Sequence, residues 1–177
     1  LACGAVTLPR IELWSFQFDG LPWSEGREVA QELESLGYGA LWFPEAMGRD
    51  AMVACAIALE ATERLVLATG IVPLYARDPL TLKAGWLTLE AAFPERFLLG
   101  IGVSHKPAVE GLRGTEYAAP LATMREYLDR LDAAAFFARP PATSPRRVLA
   151  ALGDELSRCN RNRCERVIAH VRSGHDG

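Results

Sequence analysis

The sequence predicts an α/β fold, a partial (β/α)8 TIM barrel of about five parallel βα units. Three observations carry that reading. Short apolar runs recur along the chain, helical apolar stripes separate them, and each run ends in small or polar residues where a βα loop would begin. The stretch from Leu36 to His105 shows this best, as LGYGALWFPEAMGRD, then ERLVLATGIVPLYARDP, then ERFLLGIGVSH. Parallel βα units bring the C-terminal strand ends to one rim, and such folds do their chemistry there.

Each element has its own signal. Ile11 to Phe18 (IELWSFQF) reads as a first strand, and Ser24 to Leu36 as a helix with Val29, Leu33 and Leu36 on one face. Gly37 stops that helix. Gly39 to Phe43 is the second strand, and Asp50 caps a helix through MVACAIALEAT. Leu65 to Val72 is a third strand, apolar except for Thr69, as expected when both faces are covered. Asp78-Pro79 is a cap followed by proline at the first helical position. Leu82, Trp86, Leu89 and Phe93 then form a stripe. Phe97 to Val103 is the fourth strand, Leu121, Met124, Leu128 and Leu131 mark a fourth helix, and Arg147 to Leu152 is a fifth strand. Right-handed crossovers are nearly obligatory for such units, so all strands should run parallel.

Length and spacing pull in different directions. Strand starts fall ~26 to 32 residues apart until the last, the pace of a barrel that needs about 250 residues for eight units. The chain has 177 residues. A five-stranded doubly wound sheet fits that length better, but its phosphate-binding fingerprint is missing. The first strand is followed by DGLPWSEG, and the single G-x-G (Gly100, Gly102) lies on strand four with His105 where a third glycine belongs. That is a weak dinucleotide signal.

Composition narrows the function classes. Half the residues are hydrophobic and the net charge is −3, with no basic patch or RNA-binding motif within the barrel portion, so no nucleic-acid partner is expected. No apolar run approaches the roughly 20 residues of a membrane span, and the first residues lack a signal-peptide pattern. The expected location is cytoplasmic, with cysteines as free thiols. Lysine is confined to Lys83 and Lys106 while Arg and Ala abound, a bias typical of GC-rich coding.

From about Ile11 to Leu152 the chain resembles the luciferase-like monooxygenase superfamily, most closely its actinobacterial branch of coenzyme F420-dependent oxidoreductases. The resemblance rests on LGYGALWFPEA, ATERLVLATGIVPLYARDP, and ERFLLGIGVSH followed by PLATMREYLDRLDAA, in order and at matching spacing. It implies a (β/α)8 barrel holding a flavin or deazaflavin at the C-terminal rim. The implied activity is hydride transfer with F420 to a small organic substrate, or FMN-dependent monooxygenation in the flavin branch. Full-length relatives imply a homodimer.

The residues suit a flat ring. Such a ring needs backbone close to its face, which Thr69-Gly70 and Gly100-Ile101-Gly102 allow. The resemblance places a third-strand bulge, often with a cis peptide, at Gly70-Ile71-Val72. Thr69, Gly70, Ile71, Gly102 and Ser104 are therefore the expected cofactor contacts. The alternative is that the glycines narrow the barrel interior. Glu45 follows the second strand; the luciferase branch has Glu then His there, whereas this chain has Ala46, which favours the deazaflavin branch. Glu45 is a candidate to orient substrate or donate a proton, or else to pair with Arg49 or Arg77 and join loops. His105 is a candidate partner for a ring carbonyl or substrate oxygen, or a loop cap. Trp14 and Phe16 share a face and either wall the ring or fill the interior; core filling is the expectation, as for Trp42 and Trp86.

The end departs from the pattern. Residues 1–153 read as the barrel portion and 154–177 as an Arg/Cys/His-rich tail, SRCNRNRCERVIAHVRSGHDG, that resembles an out-of-frame read. Cys159, Cys164, His170 and His175 are spaced too tightly for a two-Cys two-His finger, so no metal is expected. Val167 and Val171 allow at most a short, loosely docked helix. The chain is expected to be truncated, with weak or absent cofactor binding. A non-catalytic fragment, or a half-barrel assembly module, is the alternative from another class.

Overall fold

A computed structural model of the chain describes residues 11–46, 48–134, 147–151 and 166–169. Among these residues are seven short strands, β1 (Glu12–Trp14), β2 (Ala40–Phe43), β3 (Val66–Thr69), β4 (Val72–Pro73), β5 (Phe97–Gly102), β6 (Arg147–Ala151) and β7 (Arg166–Ala169), and the α-helices α1 (Trp23–Ser35), α2 (Ala51–Ala61), α3 (Pro79–Ala92) and α4 (Pro120–Ala133). The sheet order is β1-β2-β3-β5-β6-β7, with β4 paired to β5 off that path, and every pairing is parallel. Sequential order is what consecutive barrel units produce; a doubly wound sheet would reverse at a switch point.

The helix starts follow their caps. Asp50 Oδ1 accepts from the N–H groups of Met52 (2.9 Å) and Val53 (3.0 Å), satisfying two orphan donors of α2. Asp78 does the same for Leu80 and Thr81, with Pro79 opening α3. Gly37 leaves α1 at φ 84°, a conformation that favours glycine. At the other end of the sheet, the Glu34 carboxylate accepts the backbone N–H groups of Glu63, Arg64 and Leu65. Burial pushes Glu34 up, but the bonds from Arg64, Leu65 and Glu63 outweigh it and hold the carboxyl below its ordinary value.

Strand alternation divides the apolar residues between two faces. Leu41, Phe43, Leu67, Phe97, Leu99 and Ile101 pack under the helices with Leu59, Leu82, Met124 and Leu128. Ala40, Trp42, Ala68 and Leu98 form a smaller cluster on the opposite face, where Trp42 Nε1 donates to Glu12 Oε2 at 2.8 Å. Trp42 and Trp86 are buried, as expected.

Four expectations are corrected. The first strand ends at Trp14 rather than Phe18, because the chain turns through Gln17–Gly20 and inserts Phe18 into the core. Trp14 and Phe16 do not fill the interior; they are 51% and 46% exposed, edge to face at 4.7 Å. The third strand is not one run from Leu65 to Val72 but two strands, interrupted at Gly70-Ile71 by a cis peptide, where the resemblance placed a bulge. Val167 lies on strand β7 rather than a helix, paired along its whole length with β6. The β-branched pair Val167 and Ile168 lies on a parallel edge offered by β6, and ladder bonds outweigh a helical stripe too short to stand alone. The proposed tail cysteines and histidines lie outside the described residues.

Candidate functional site

Because all strands are parallel, Trp14, Glu45, Gly70, Tyr75, Gly102 and Ser104 follow or end strands on one rim. Its polar centre is an ion-pair cluster. Arg77, just before the Asp78 cap, donates to Glu45 Oε1 (3.2 Å) and Oε2 (2.9 Å) and also to Asp50 Oδ2. Ala51 N–H adds a bond to Glu45, and Arg113 lies 3.8 Å from it. The Glu45 side chain is 8% exposed, so this carboxylate is desolvated and fully engaged. Burial raises Asp50, but the Val53 N–H, the Arg77 charge and its hydrogen bond prevail and hold the carboxyl below its ordinary value. Tyr127 on α4 donates to the Arg77 carbonyl at 2.9 Å, tying α4 to the cluster. Glu45 thus joins the loops after β2 and β4 through Arg77; Arg49 instead donates to the Leu21 carbonyl and stacks on Trp23.

The glycines have local reasons of their own. A Cβ on Gly100 would stand 1.9 Å from the Thr69 carbonyl oxygen. The Thr69 hydroxyl bridges the same residue, accepting from Gly100 N–H (2.8 Å) and donating to its carbonyl (2.9 Å). Thr69 is fully buried, so its side chain is committed to joining β3 and β5. Above Gly70 lies the Trp14 indole: a Cβ there would sit 2.8 Å from the ring, and Trp14 Nε1 donates to the Gly70 carbonyl at 2.6 Å. The indole reaches past the end of β2 to do this, since β1 pairs with β2 alone. Ile71 is half-buried beside it.

After β5 the chain turns sharply. Ser104 has φ 60°, in the left-handed region, and His105 is exposed, its carbonyl accepting the N–H groups of Ala108 and Val109 at the start of a π-helical turn. Tyr117 returns over this exit, its hydroxyl 3.4 Å from the Ser104 carbonyl and its ring 5.9 Å from Tyr75. The Tyr75 hydroxyl is buried and has no hydrogen-bond partner among the described residues. Sequence reasoning missed Tyr75 and Tyr117. Tyr75 falls in the apolar run between the β3 break and the α3 cap, where nothing distinguishes it from a packing residue.

Comparison with known proteins decides the family. The sequence profile described as luciferase-like monooxygenase matches residues 6–153. The chain belongs to this family. A Mycobacterium tuberculosis protein, named provisionally as a coenzyme F420-dependent oxidoreductase, is 36% identical over 102 residues, covering 58% of this chain and 29% of the relative. Among solved structures, an F420-dependent secondary alcohol dehydrogenase with an F420-acetone adduct aligns with TM-score 0.80 at 13% identity, covering 92% of this chain and 58% of that one. The oxygenating constituent of 3,6-diketocamphane monooxygenase from Pseudomonas putida, bound to FMN, aligns with TM-score 0.68 at 15% identity, covering 83% and 52%. These likenesses show the fold of part of such a barrel, a parallel sheet with helices that spans little more than half of either neighbour. The chain spans less than a third of the length of the mycobacterial relative it matches.

Proposed function

We propose that this luciferase-like chain serves hydride transfer between coenzyme F420 and a small organic substrate, with the deazaflavin ring on the rim described above. The family match over residues 6–153 carries the reading, because it takes in every rim residue from Trp14 to Tyr117. The mycobacterial relative and Ala46, in place of the histidine expected in the luciferase branch, favour F420 over FMN. FMN-dependent oxygenation is the second reading, favoured by the FMN-bound fold neighbour.

The rim's chemistry fits such a ring. Trp14 and Phe16 offer exposed aromatic surface, and the Tyr75 hydroxyl, a buried donor with no partner among the described residues, calls for an acceptor. The backbone at Gly70-Ile71 and at Gly102-Ser104 would hold the ring's edges, and Thr69 would keep those two segments together through Gly100. His105, exposed beside them, would hold the substrate oxygen. Glu45 would act through Arg77 as an anchor of the rim. When bound, the deazaflavin supplies the hydride acceptor or donor.

Fluorescence titration tests the reading. F420 should bind the chain saturably but weakly, with a Kd of roughly 10–100 µM, and FMN several-fold more weakly. Absence of saturable F420 binding would overturn it.

A further inference from the structure

We infer that the Tyr75 hydroxyl is the hydrogen-bond donor to an oxygen acceptor on the bound ring cofactor. The inference rests on the reading that a deazaflavin or flavin occupies this rim.

The starting observation is energetic. A buried hydroxyl without a partner forfeits the hydrogen bonds it makes to water in the unfolded chain, and native proteins rarely leave one so. Tyr75 Oη is such a group. Among the described residues Trp86 Nε1 is also without a partner, but it sits in the middle of α3, in the helix layer. Tyr75 lies on the short turn Leu74–Ala76, directly after β4, so it belongs to the C-terminal rim.

Its surroundings point the same way. The Tyr75 ring leans on Tyr117 at 5.9 Å, with 42° between the rings, and Tyr117 is itself tied to the exit of β5 through the Ser104 carbonyl. β4 pairs with β5 at Val72↔Ile101 and Pro73↔Gly102, which brings the two strand exits side by side. Of the charged groups on this rim, Arg49 keeps one buried nitrogen, Nη1, without a partner among the described residues, but the two cations after β4 and β5 are engaged. Arg77 is held by Glu45 and Asp50, and Arg113 lies against Glu45. Tyr75 therefore follows a strand paired beside the Gly102–Ser104 exit, and its hydroxyl, buried in this structure, is the donor that a ring seated there would uncover. A phenol on a short turn, braced by a second ring, has little rotamer freedom to lose when an acceptor arrives. Flavin and deazaflavin rings carry carbonyl oxygens along one edge, and one of these is the acceptor that completes the group.

The test uses Tyr75→Phe in the full 177-residue chain, with two readouts. Without ligand, removing an unsatisfied hydroxyl should leave the melting temperature unchanged or raise it by about 2–4 °C. A merely structural hydroxyl would give a fall instead, and a fall of several degrees would overturn the assignment. With ligand, F420 and FMN affinities measured by fluorescence should both drop about tenfold. Tyr38→Phe, at the opposite end of the sheet just before β2, should leave both readouts as in the unsubstituted chain. If that chain binds F420 or FMN and Tyr75→Phe binds equally well, this inference alone fails. If the unsubstituted chain binds neither, the proposed function fails and the assignment falls with it.

Discussion

Gly100→Ala should cost the fold more than any other single-methyl change on the rim. The added carbon would stand 1.9 Å from the Thr69 carbonyl oxygen, a backbone atom with no rotamer to escape into. Relieving that clash means separating β3 from β5 where the Thr69 hydroxyl makes both of its bonds to Gly100. Overpacking of this kind costs about 3 kcal/mol or more, which lowers the melting temperature of a chain this size by roughly 6–12 °C. Gly20→Ala is the control, because nothing lies within 4 Å of its added carbon. Thermal melts followed by circular dichroism decide the matter. A Gly100→Ala melt close to that of Gly20→Ala would mean that β3 and β5 do not approach as described.

The second large effect is expected at Arg77. Replacing it with Leu leaves the Glu45 carboxylate, 8% exposed, without its bidentate partner, and removes the charge beside Asp50. Breaking a buried pair from one side costs about 3–5 kcal/mol, because the remaining charge is stranded. Glu45→Gln with Arg77→Leu should recover part of the loss, since the stranded charge is then gone. A pH signature accompanies the effect. Asp50 is held below its ordinary value of 3.8, so its contribution is present above that value and lost as pH falls through the lower folded value. Without Arg77 the folded value rises toward the unfolded one, and less Asp50 stabilisation remains to be lost with acid. Bonds from Met52 and Val53 persist, so the change is partial. Denaturant melts at pH 7 and pH 3 measure both parts. Equal stability of Arg77→Leu and the unsubstituted chain at pH 7 would contradict the clamp.

How much was legible in advance follows from how local each signal is. The caps at Asp50 and Asp78, the stop at Gly37 and the apolar runs of β2 and β5 depend on neighbours within a few residues, and they are found as read. The break at Gly70-Ile71 had no local signal; it came from the family resemblance alone. The orientation of Trp14 was misjudged because period-2 alternation assigns a face without saying whether that face is covered. Its indole instead spans to Gly70, a contact 56 positions away in sequence. Pairing of Glu45 with Arg77 was one of two options, and only the fold chooses between Arg49 and Arg77. Strand β7 was missed for a related reason: four residues show no periodicity by themselves, and a partner edge at β6 makes them a strand.

On the proposed function, the rim lined by Trp14, Gly70 and Tyr75 receives a flat conjugated ring. The most direct measurement is the indole N–H region of a proton–nitrogen correlation spectrum during F420 titration, with the Trp14 signal identified by its loss in Trp14→Phe. The Trp14 signal should move as F420 saturates, because its N–H is bonded to the Gly70 carbonyl and its ring is exposed there. The Trp86 signal, buried on α3, should stay in place. F420 binding that leaves Trp14 unmoved would place the ring elsewhere and contradict the account.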